Sequence, residues 1–182
     1  MNKNIFVVRH CKAAGQHPEA KLTRQGINQA LSLVSFFSNY DIDRIISSPY
    51  TRAIQSITPY GEYKNIPIEV DNRLVERSLS KQSHSDWMDK LKMTFHDIDL
   101  KFDGGESSRE AKERAIHVID EIVTSNVSNT IIVTHGNLMT LLLKHFIPGY
   151  GFDDWMALRN PDVYQINWKN GSYIAECIWE VS

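Results

Sequence analysis

The sequence predicts an α/β fold, namely a three-layer α/β/α sandwich with a mostly parallel sheet, helices on both faces and a C-terminal antiparallel hairpin. Short apolar runs at residues 5–8, 44–47 and 130–134 have the length and composition of buried parallel strands. Each run is followed by a helical pattern, and an Asn-Gly pair separates two strand-like runs near the end of the chain. Alternating strands and helices are typical of a parallel sheet that is covered by helices.

The first two predicted helices follow the first two predicted strands. After the first strand, an apolar stripe with helical spacing consists of Ile27, Ala30, Leu31, Val34 and Phe37. Thr23 precedes this stripe and is a suitable N-cap. After the second strand, residues 50 to about 63 have a helical pattern. We expect Pro49 to suit the first turn of that helix and Pro59 to kink or shorten it.

The next two predicted helices flank the third strand. Ser107 and Glu110 have the spacing of a capping box, in which the two side chains satisfy opposite backbone donors. The helix that they begin has one apolar face, formed by Ala111, Ala115, Val118, Ile119 and Ile122. Residues 138–146 are apolar all round and predict a buried helix that ends at Pro148 and Gly149.

The last third of the chain also holds the hairpin. Residues 163–168 and 173–179 are strand-like, and Asn170-Gly171 lies in the turn between them. Residues 79–105 fit the alternating pattern least well, although Trp87, Leu91 and nearby apolar residues (Met88 and Phe95) form a short amphipathic stretch. We therefore expect one domain over residues 1–182, with a lid or insertion at about 79–105.

Composition limits the classes of function. A chain of 182 residues fits a single domain, and its formal net charge of −2 argues against nucleic acid or an anionic membrane as a partner. The apolar run near the N-terminus is too short for a signal peptide or a membrane span. Two cysteines, Cys11 and Cys177, lack metal-type spacing and predict free thiols in a cytoplasmic protein. The oligomeric state is left open.

Cationic and imidazole side chains follow all three predicted parallel strands. Arg9-His10 follows the first strand, Arg52 lies shortly after the second, and His135-Gly136 follows the third. Ligands of open α/β sheets bind beyond the carboxyl ends of the strands, so we expect these groups to converge. Two arginines and two histidines without a carboxylate suit a phosphate dianion rather than a metal ion.

Six sequence elements, in order, resemble the histidine phosphatase superfamily, the phosphoglycerate-mutase-like group. The elements are Val8-Arg9-His10, Leu22-Thr23-x-x-Gly26, Ser47-Ser48-Pro49-x-x-Arg52-Ala53, Glu76-Arg77, Gly104-Gly105-Glu106-Ser107 and Thr134-His135-Gly136. A single Arg-His pair carries little information, but six elements with matching order and spacing across nearly the whole chain are highly specific.

The resemblance implies a role for each site residue. His10 would be the nucleophile that forms a phosphohistidine, and Glu76 would be the general acid and later the base for water. Arg9, Arg52 and His135 would bind the phosphoryl oxygens. Gly136 would also contact a small phosphorylated substrate. Lys12 is a departure from the family pattern, and we expect its positive charge to lie near the phosphate of that substrate. The resemblance implies neither a cofactor nor a metal, so a metal-independent phosphoric monoester hydrolase of the histidine acid phosphatase type is the leading hypothesis.

Several residues also have simpler explanations. Glu76 stands in a charged loop, where an ion pair with Arg77 or Arg73 in solvent explains it equally well. The other five histidines do not stand at strand ends and receive no role; they are His17, His84, His96, His117 and His145. Cys11 stands where the family usually has glycine, and we expect it to pack rather than to act as a reactive thiol.

Two other functions stay open at this stage. A mutase of the phosphoglycerate type would return the phosphoryl group to the product, but the segment after Glu76 lacks the tyrosine-glycine pattern expected of a mutase. A non-catalytic phosphate-binding regulator is the alternative from another class, although Arg9, His10 and His135 are all present. The sequence has neither the glycine-rich loop of P-loop enzymes nor a Cys-x5-Arg loop.

Overall fold

The computed structural model describes residues 2–179. Its strands are β1 (Lys3–Arg9), β2 (Arg44–Ser47), β3 (Ile68–Val70), β4 (Asn129–Thr134), β5 (Asp162–Lys169) and β6 (Ser172–Cys177). Its α-helices are α1 (Arg24–Phe37), α2 (Thr51–Lys64), α3 (Trp87–His96), α4 (Ser108–Thr124), α5 (Gly136–Phe146) and α6 (Phe152–Ala157), and Asn72–Leu74 form a 3-10 turn.

The strands form one sheet in the order β3-β2-β4-β1-β5-β6 within the described residues. Strands β1 to β4 run parallel to one another, whereas β5 is antiparallel to β1 and β6 is antiparallel to β5. The turn of this last hairpin has positive φ at Asn170 (51°) and Gly171 (84°), as a tight primed turn requires. The predicted fold class, with its mostly parallel sheet and C-terminal hairpin, is confirmed.

Helices cover both faces of the sheet because side chains alternate along its strands. On β1, Ile5 and Val7 belong to one core cluster with residues of α3, α4 and α5. Phe6 and Val8 belong to the opposite cluster with residues of α1 and α2. Every one of these four side chains is at most 1% exposed. This packing holds the carboxyl end of β1 rigidly in the middle of the sheet.

The predicted apolar stripe of α1 is partly wrong. Ile27 and Leu31 are each 55% exposed, whereas Ala30, Leu33 and Phe37 are buried. The buried residues have the spacing i, i+3, i+7 and form a stripe next to the predicted apolar stripe. The helix is therefore rotated about its axis relative to the predicted orientation. The rotation is set at the N-terminus, where Gly26 faces the loop that follows β1.

The prolines of α2 also behave differently from the prediction. Pro59 lies inside the helix without shortening it, and α2 continues to Lys64. Proline removes one backbone donor, but buried Ile57 and Tyr60 on either side anchor both halves against the core. Pro49 precedes the N-cap residue Tyr50 and therefore lies outside the first turn. Strand β3 and helix α6, each of six residues or fewer, were not predicted.

Gly26 lets α1 approach the loop after β1 at close range. A Cβ at this position would clash with the backbone carbonyl of Lys12, which also accepts hydrogen bonds from the backbone N–H (3.0 Å) and hydroxyl (3.2 Å) of Thr23. We expect Gly26→Ala to lower the free energy of unfolding by about 1–3 kcal/mol through overpacking. Urea denaturation measures this loss. Gly171→Ala is the comparison variant, because a Cβ there has open space around it and any loss of stability comes from the positive φ of the turn. An unchanged unfolding midpoint for Gly26→Ala would contradict the proposed contact.

Candidate active site

The carboxyl ends of β1, β2 and β4 bring the predicted site residues together. The backbone N–H of His10 donates to Thr134 O (3.0 Å), and that of Ser48 donates to Val133 O (2.9 Å), so the strand pairing extends into the loops. The imidazole rings of His10 and His135 lie 5.1 Å apart between centroids. Arg52 Nε lies 3.2 Å from His10 Nε2. The groups that follow the three strands therefore form one cluster.

The imidazole of His10 is held in one tautomer. Its Nδ1 lies 2.7 Å from the carbonyl oxygen of Cys11, which can only accept, so Nδ1 carries the proton. Its Nε2 then accepts from Arg52. Burial, together with the nearby charges of Arg52 and Arg9, lowers the pKa of His10 to about 4. At neutral pH the ring is therefore uncharged, with the lone pair of Nε2 directed toward Arg52.

Arg9 and Arg52 hold their guanidinium groups beside His10 without an ion pair to a carboxylate in the described part of the chain. Arg9 donates to Leu158 O (2.7 Å), and Arg52 donates to Gln16 O (3.1 Å) and His17 O (2.9 Å). Arg52 is only 1% exposed. Burial lowers the pKa of both groups. One buried cation (Arg52) and one partly buried cation (Arg9), both held by neutral carbonyls, leave a local excess of positive charge.

His135 lies deepest in the cluster, and its side chain is fully enclosed. Its Nε2 lies 2.7 Å from Ser48 Oγ, whereas its Nδ1 has no hydrogen-bond partner within residues 2–179. Burial lowers the pKa of His135 well below its usual value, and the charges of its neighbours act in the same direction. Next to it, a Cβ on Gly136 would lie 3.1 Å from the guanidinium of Arg9, so glycine leaves room for that group.

Glu76 lies at the N-terminus of α5 rather than in a solvent ion pair. Its carboxylate accepts from the backbone N–H groups of Arg77 (2.8 Å), Leu138 (2.9 Å) and Asn137 (3.0 Å). Arg73 instead pairs with Asp71 and Glu121. The ion-pair explanation of Glu76 is therefore wrong. Three backbone donors, two of them at a helix N-terminus, fix the carboxyl group at the edge of the cluster.

A cavity of about 410 Å³ opens onto this cluster. Arg9, His10, Lys12, Glu76 and Gly136 are all part of its wall, whereas none of the other five histidines is. The remaining wall residues are Ala13, Gly15, Gln16, Arg77, Leu79, Trp87, Leu91, Asn137, Trp155 and Asn160. Arg52 and His135 are not part of this wall; both are buried beside His10. The volume is in the usual range for a small-molecule site.

Residues 158–160, which precede β5, support the site and were missed by the sequence analysis. Leu158 supplies the carbonyl that holds Arg9, and the side-chain amide of Asn160 donates to His10 O (2.6 Å). Asn137, a buried wall residue whose amide has no hydrogen-bond partner in the described chain, was also missed. Only its place directly after His135-Gly136 could have pointed to it.

Cys11 is buried beneath the site and packs in the cluster that contains Phe6 and Val8. Burial raises the pKa of its thiol to about 12, so the thiolate form is scarce at neutral pH. The packing role expected for Cys11 is confirmed. Among residues 2–179, no cluster of three or more His, Cys, Asp or Glu residues could hold a metal ion. No helix in the same range has both the length and the apolar composition that a membrane span needs.

Residues 5–179 match the family described as Histidine phosphatase superfamily (branch 1). The chain belongs to the histidine phosphatase superfamily. The resemblance that the six sequence elements carry is therefore confirmed, and the match covers both the strand-end cluster and the wall of the cavity.

Individual relatives are distant in sequence. A Hydrogenobacter thermophilus protein named "Putative phosphoserine phosphatase 2" is 24% identical over 169 residues, which cover 84% of this chain and 82% of the relative. The mycobacterial glucosyl-3-phosphoglycerate phosphatase is 22% identical, with a TM-score of 0.79 and 100% of both chains covered. Bacillus stearothermophilus YhfR is 20% identical, with a TM-score of 0.83 over 99% of this chain and 98% of its own. These two structures show that the superfamily fold extends over the whole chain.

Proposed function

We propose that this protein is a phosphatase that hydrolyses phosphate monoesters through a phosphohistidine on His10. One observation carries the proposal: a buried guanidinium group (Arg52) and a partly buried one (Arg9), both without a carboxylate partner, lie beside an uncharged imidazole in the wall of a cavity. Buried cations are costly unless an anion completes them. Membership of the histidine phosphatase superfamily and the phosphatase names of the relatives support the same conclusion.

In the first step the phosphoryl group moves from the ester to His10. The forked guanidinium groups of Arg9 and Arg52 bind the phosphoryl oxygens. His135 is fully enclosed, bonds to Ser48 and lies beside the ring of His10. Arg52 then donates to the phosphate, which frees the lone pair of His10 Nε2 for attack. The N–P bond forms while the P–O bond of the ester breaks, and Glu76 gives a proton to the departing oxygen.

In the second step water releases the phosphate. Glu76, now a carboxylate, takes a proton from the water as its oxygen attacks phosphorus, and the N–P bond breaks. His10 keeps its Nδ1 proton throughout, donated to Cys11 O, so the phosphorylated ring is cationic and leaves readily. Gly136 keeps Arg9 in place, and the exposed Lys12 adds positive charge at the rim. The fixed cations stabilise the charge that spreads over the transferred group.

Hydrolysis of p-nitrophenyl phosphate in excess EDTA tests this function and its independence from metal ions. We expect multiple turnovers that added Mg²⁺ or Zn²⁺ does not increase. Incubation with 3-phosphoglycerate separates a phosphatase from a mutase, since a phosphatase releases inorganic phosphate and a mutase returns the isomeric ester. If the folded protein gives neither product and turns over no aryl ester, the proposal fails in favour of a binding protein.

The low pKa of His10 has a measurable consequence. Because burial holds it at about 4, against about 6.5 for an unfolded chain, we expect the NMR signals of the His10 ring to titrate with a midpoint near 4. Protonation favours the unfolded state, so the stabilising contribution is complete above about pH 6.5 and is lost as the pH falls toward 4. A midpoint near 6.5 for His10 would contradict the lowering of its pKa by burial.

A further inference from the structure

One part of the cavity wall is apolar and takes no part in phosphate binding. It consists of Leu79, Leu91 of α3, Trp87 at the start of α3, and Trp155 of α6. The indole rings of Trp87 and Trp155 meet edge to face, 6.3 Å apart between centroids and at 87°. Trp87 nevertheless remains 46% exposed. A large aromatic side chain exposed at the edge of a cavity is available to pack against a ligand.

The charged groups of the same cavity are already engaged. Arg77 is 5% exposed, and its guanidinium donates to Thr94 Oγ1 (2.7 Å) and Glu106 O (3.1 Å). Lys12 is exposed at the rim, and its Nζ donates to Gln25 Oε1 (2.9 Å) in the first turn of α1. Glu76 accepts three backbone hydrogen bonds and offers no positive charge to a second anionic group. Once Arg9 and Arg52 hold the phosphoryl group, no wall residue offers an uncommitted guanidinium for a carboxylate or a second phosphate.

From the apolar wall on one side of the cavity and the engaged charged groups on the other, we infer the substrate class: phosphate monoesters of uncharged alcohols that carry an aromatic ring. The inference rests on the proposed phosphatase function and adds the nature of the leaving group. The ring would pack against Trp87 and Trp155 while the phosphoryl group lies over His10. Phosphoserine and glucosyl-3-phosphoglycerate, which appear in the names of two relatives, both carry a carboxylate and would be poor substrates here.

Three alkyl esters separate the leaving groups by shape and charge. 2-Phenylethyl phosphate carries an uncharged ring, propyl phosphate carries neither ring nor charge, and phosphoserine carries charges. Since all three release a primary alcohol, their intrinsic reactivities are similar. Burial of one aromatic ring corresponds to about a 10- to 100-fold preference in kcat/KM for 2-phenylethyl phosphate over propyl phosphate. Phosphoserine should be hydrolysed more slowly than propyl phosphate.

Substitutions connect this preference to the two tryptophans. We expect Trp87→Ala and Trp155→Ala each to lower the ratio of kcat/KM for 2-phenylethyl phosphate to that for propyl phosphate by about tenfold. Trp87→Phe should retain most of the ratio because it keeps an aromatic face. Trp168→Ala is the matched control, since Trp168 pairs with Lys3 at the opposite end of the sheet from His10 and should leave the ratio unchanged.

The possible results are distinguishable. Equal or faster turnover of phosphoserine than of 2-phenylethyl phosphate overturns the inference while the phosphatase function stands. An unchanged ratio in both Trp87→Ala and Trp155→Ala overturns it too, because the ring would then bind elsewhere. Failure of every ester, including p-nitrophenyl phosphate, overturns both the inference and the proposed function. A preference for the aromatic ester that falls in the two alanine variants and persists in Trp87→Phe supports it.

Discussion

His10→Ala is expected to lower kcat for p-nitrophenyl phosphate by on the order of 10³-fold or more, the largest effect of any substitution in this chain. The substitution removes the nitrogen that forms the N–P bond, and no neighbouring group can replace it: His135 is fully enclosed, and the Cys11 thiol is buried with a pKa of about 12. Rapid quenching in alkali with a labelled ester should trap an acid-labile phosphoenzyme in the wild type and none in the variant.

Two controls separate loss of chemistry from loss of structure. His117→Ala changes an exposed histidine on α4 and should keep the full rate. His10→Ala should still bind inorganic phosphate, because Arg9 and Arg52 keep their contacts with Leu158 O and His17 O. If the variant stays folded, binds phosphate and still turns over the ester at the wild-type rate, the assignment of the nucleophile is wrong.

Glu76→Ala is expected to act differently on different leaving groups. For an alkyl ester such as propyl phosphate, the departing alkoxide needs a proton, and we expect kcat to fall by about 10²–10⁴-fold. For p-nitrophenyl phosphate, whose phenolate leaves without protonation, the first step should fall by less than about tenfold. The measurement is the size of the phosphoenzyme burst and the steady-state rate for both esters.

The dependence on the leaving group separates proton transfer from a structural role. Glu76 accepts from three backbone N–H groups, so its loss also perturbs the start of α5, but a structural defect lowers the rates for both esters by the same factor. Glu69→Ala, which removes a carboxylate from an exposed pair with Arg44, is the control and should change neither rate. The second step is common to both esters, so the first step decides: an equal reduction in the rate of phosphoenzyme formation for both esters in Glu76→Ala would argue against proton donation.

The sequence predicts the strand-end cluster well because parallel strands deliver their carboxyl ends to one edge. Arg9-His10, Arg52 and His135 each lie within five residues of a strand that an apolar run identifies. Knowing the three runs is therefore enough to predict that the four side chains meet. The helix cap at Ser107 is equally local, since Ser107 and Glu110 bind each other's backbone.

Other features depend on contacts that no local pattern encodes. The environment of Glu76 follows from the position of the α5 N-terminus, sixty-odd residues along the chain, so charge counting in its own loop gave the wrong partner. The support from Leu158 and Asn160 follows from β5 pairing with β1, which alternation of strands and helices does not predict. The rotation of α1 likewise depends on Gly26 meeting Lys12.

Because β1 pairs with both β4 and β5, the site is complete only after segments that are far apart along the chain have come together. His10 is fixed by Thr134 O and Asn160, which lie more than a hundred residues further along the chain. Contacts so distant along the chain are slow to form. We therefore expect the His10 ring to be fixed in place only late in folding, when β1 has gained both of its neighbouring strands.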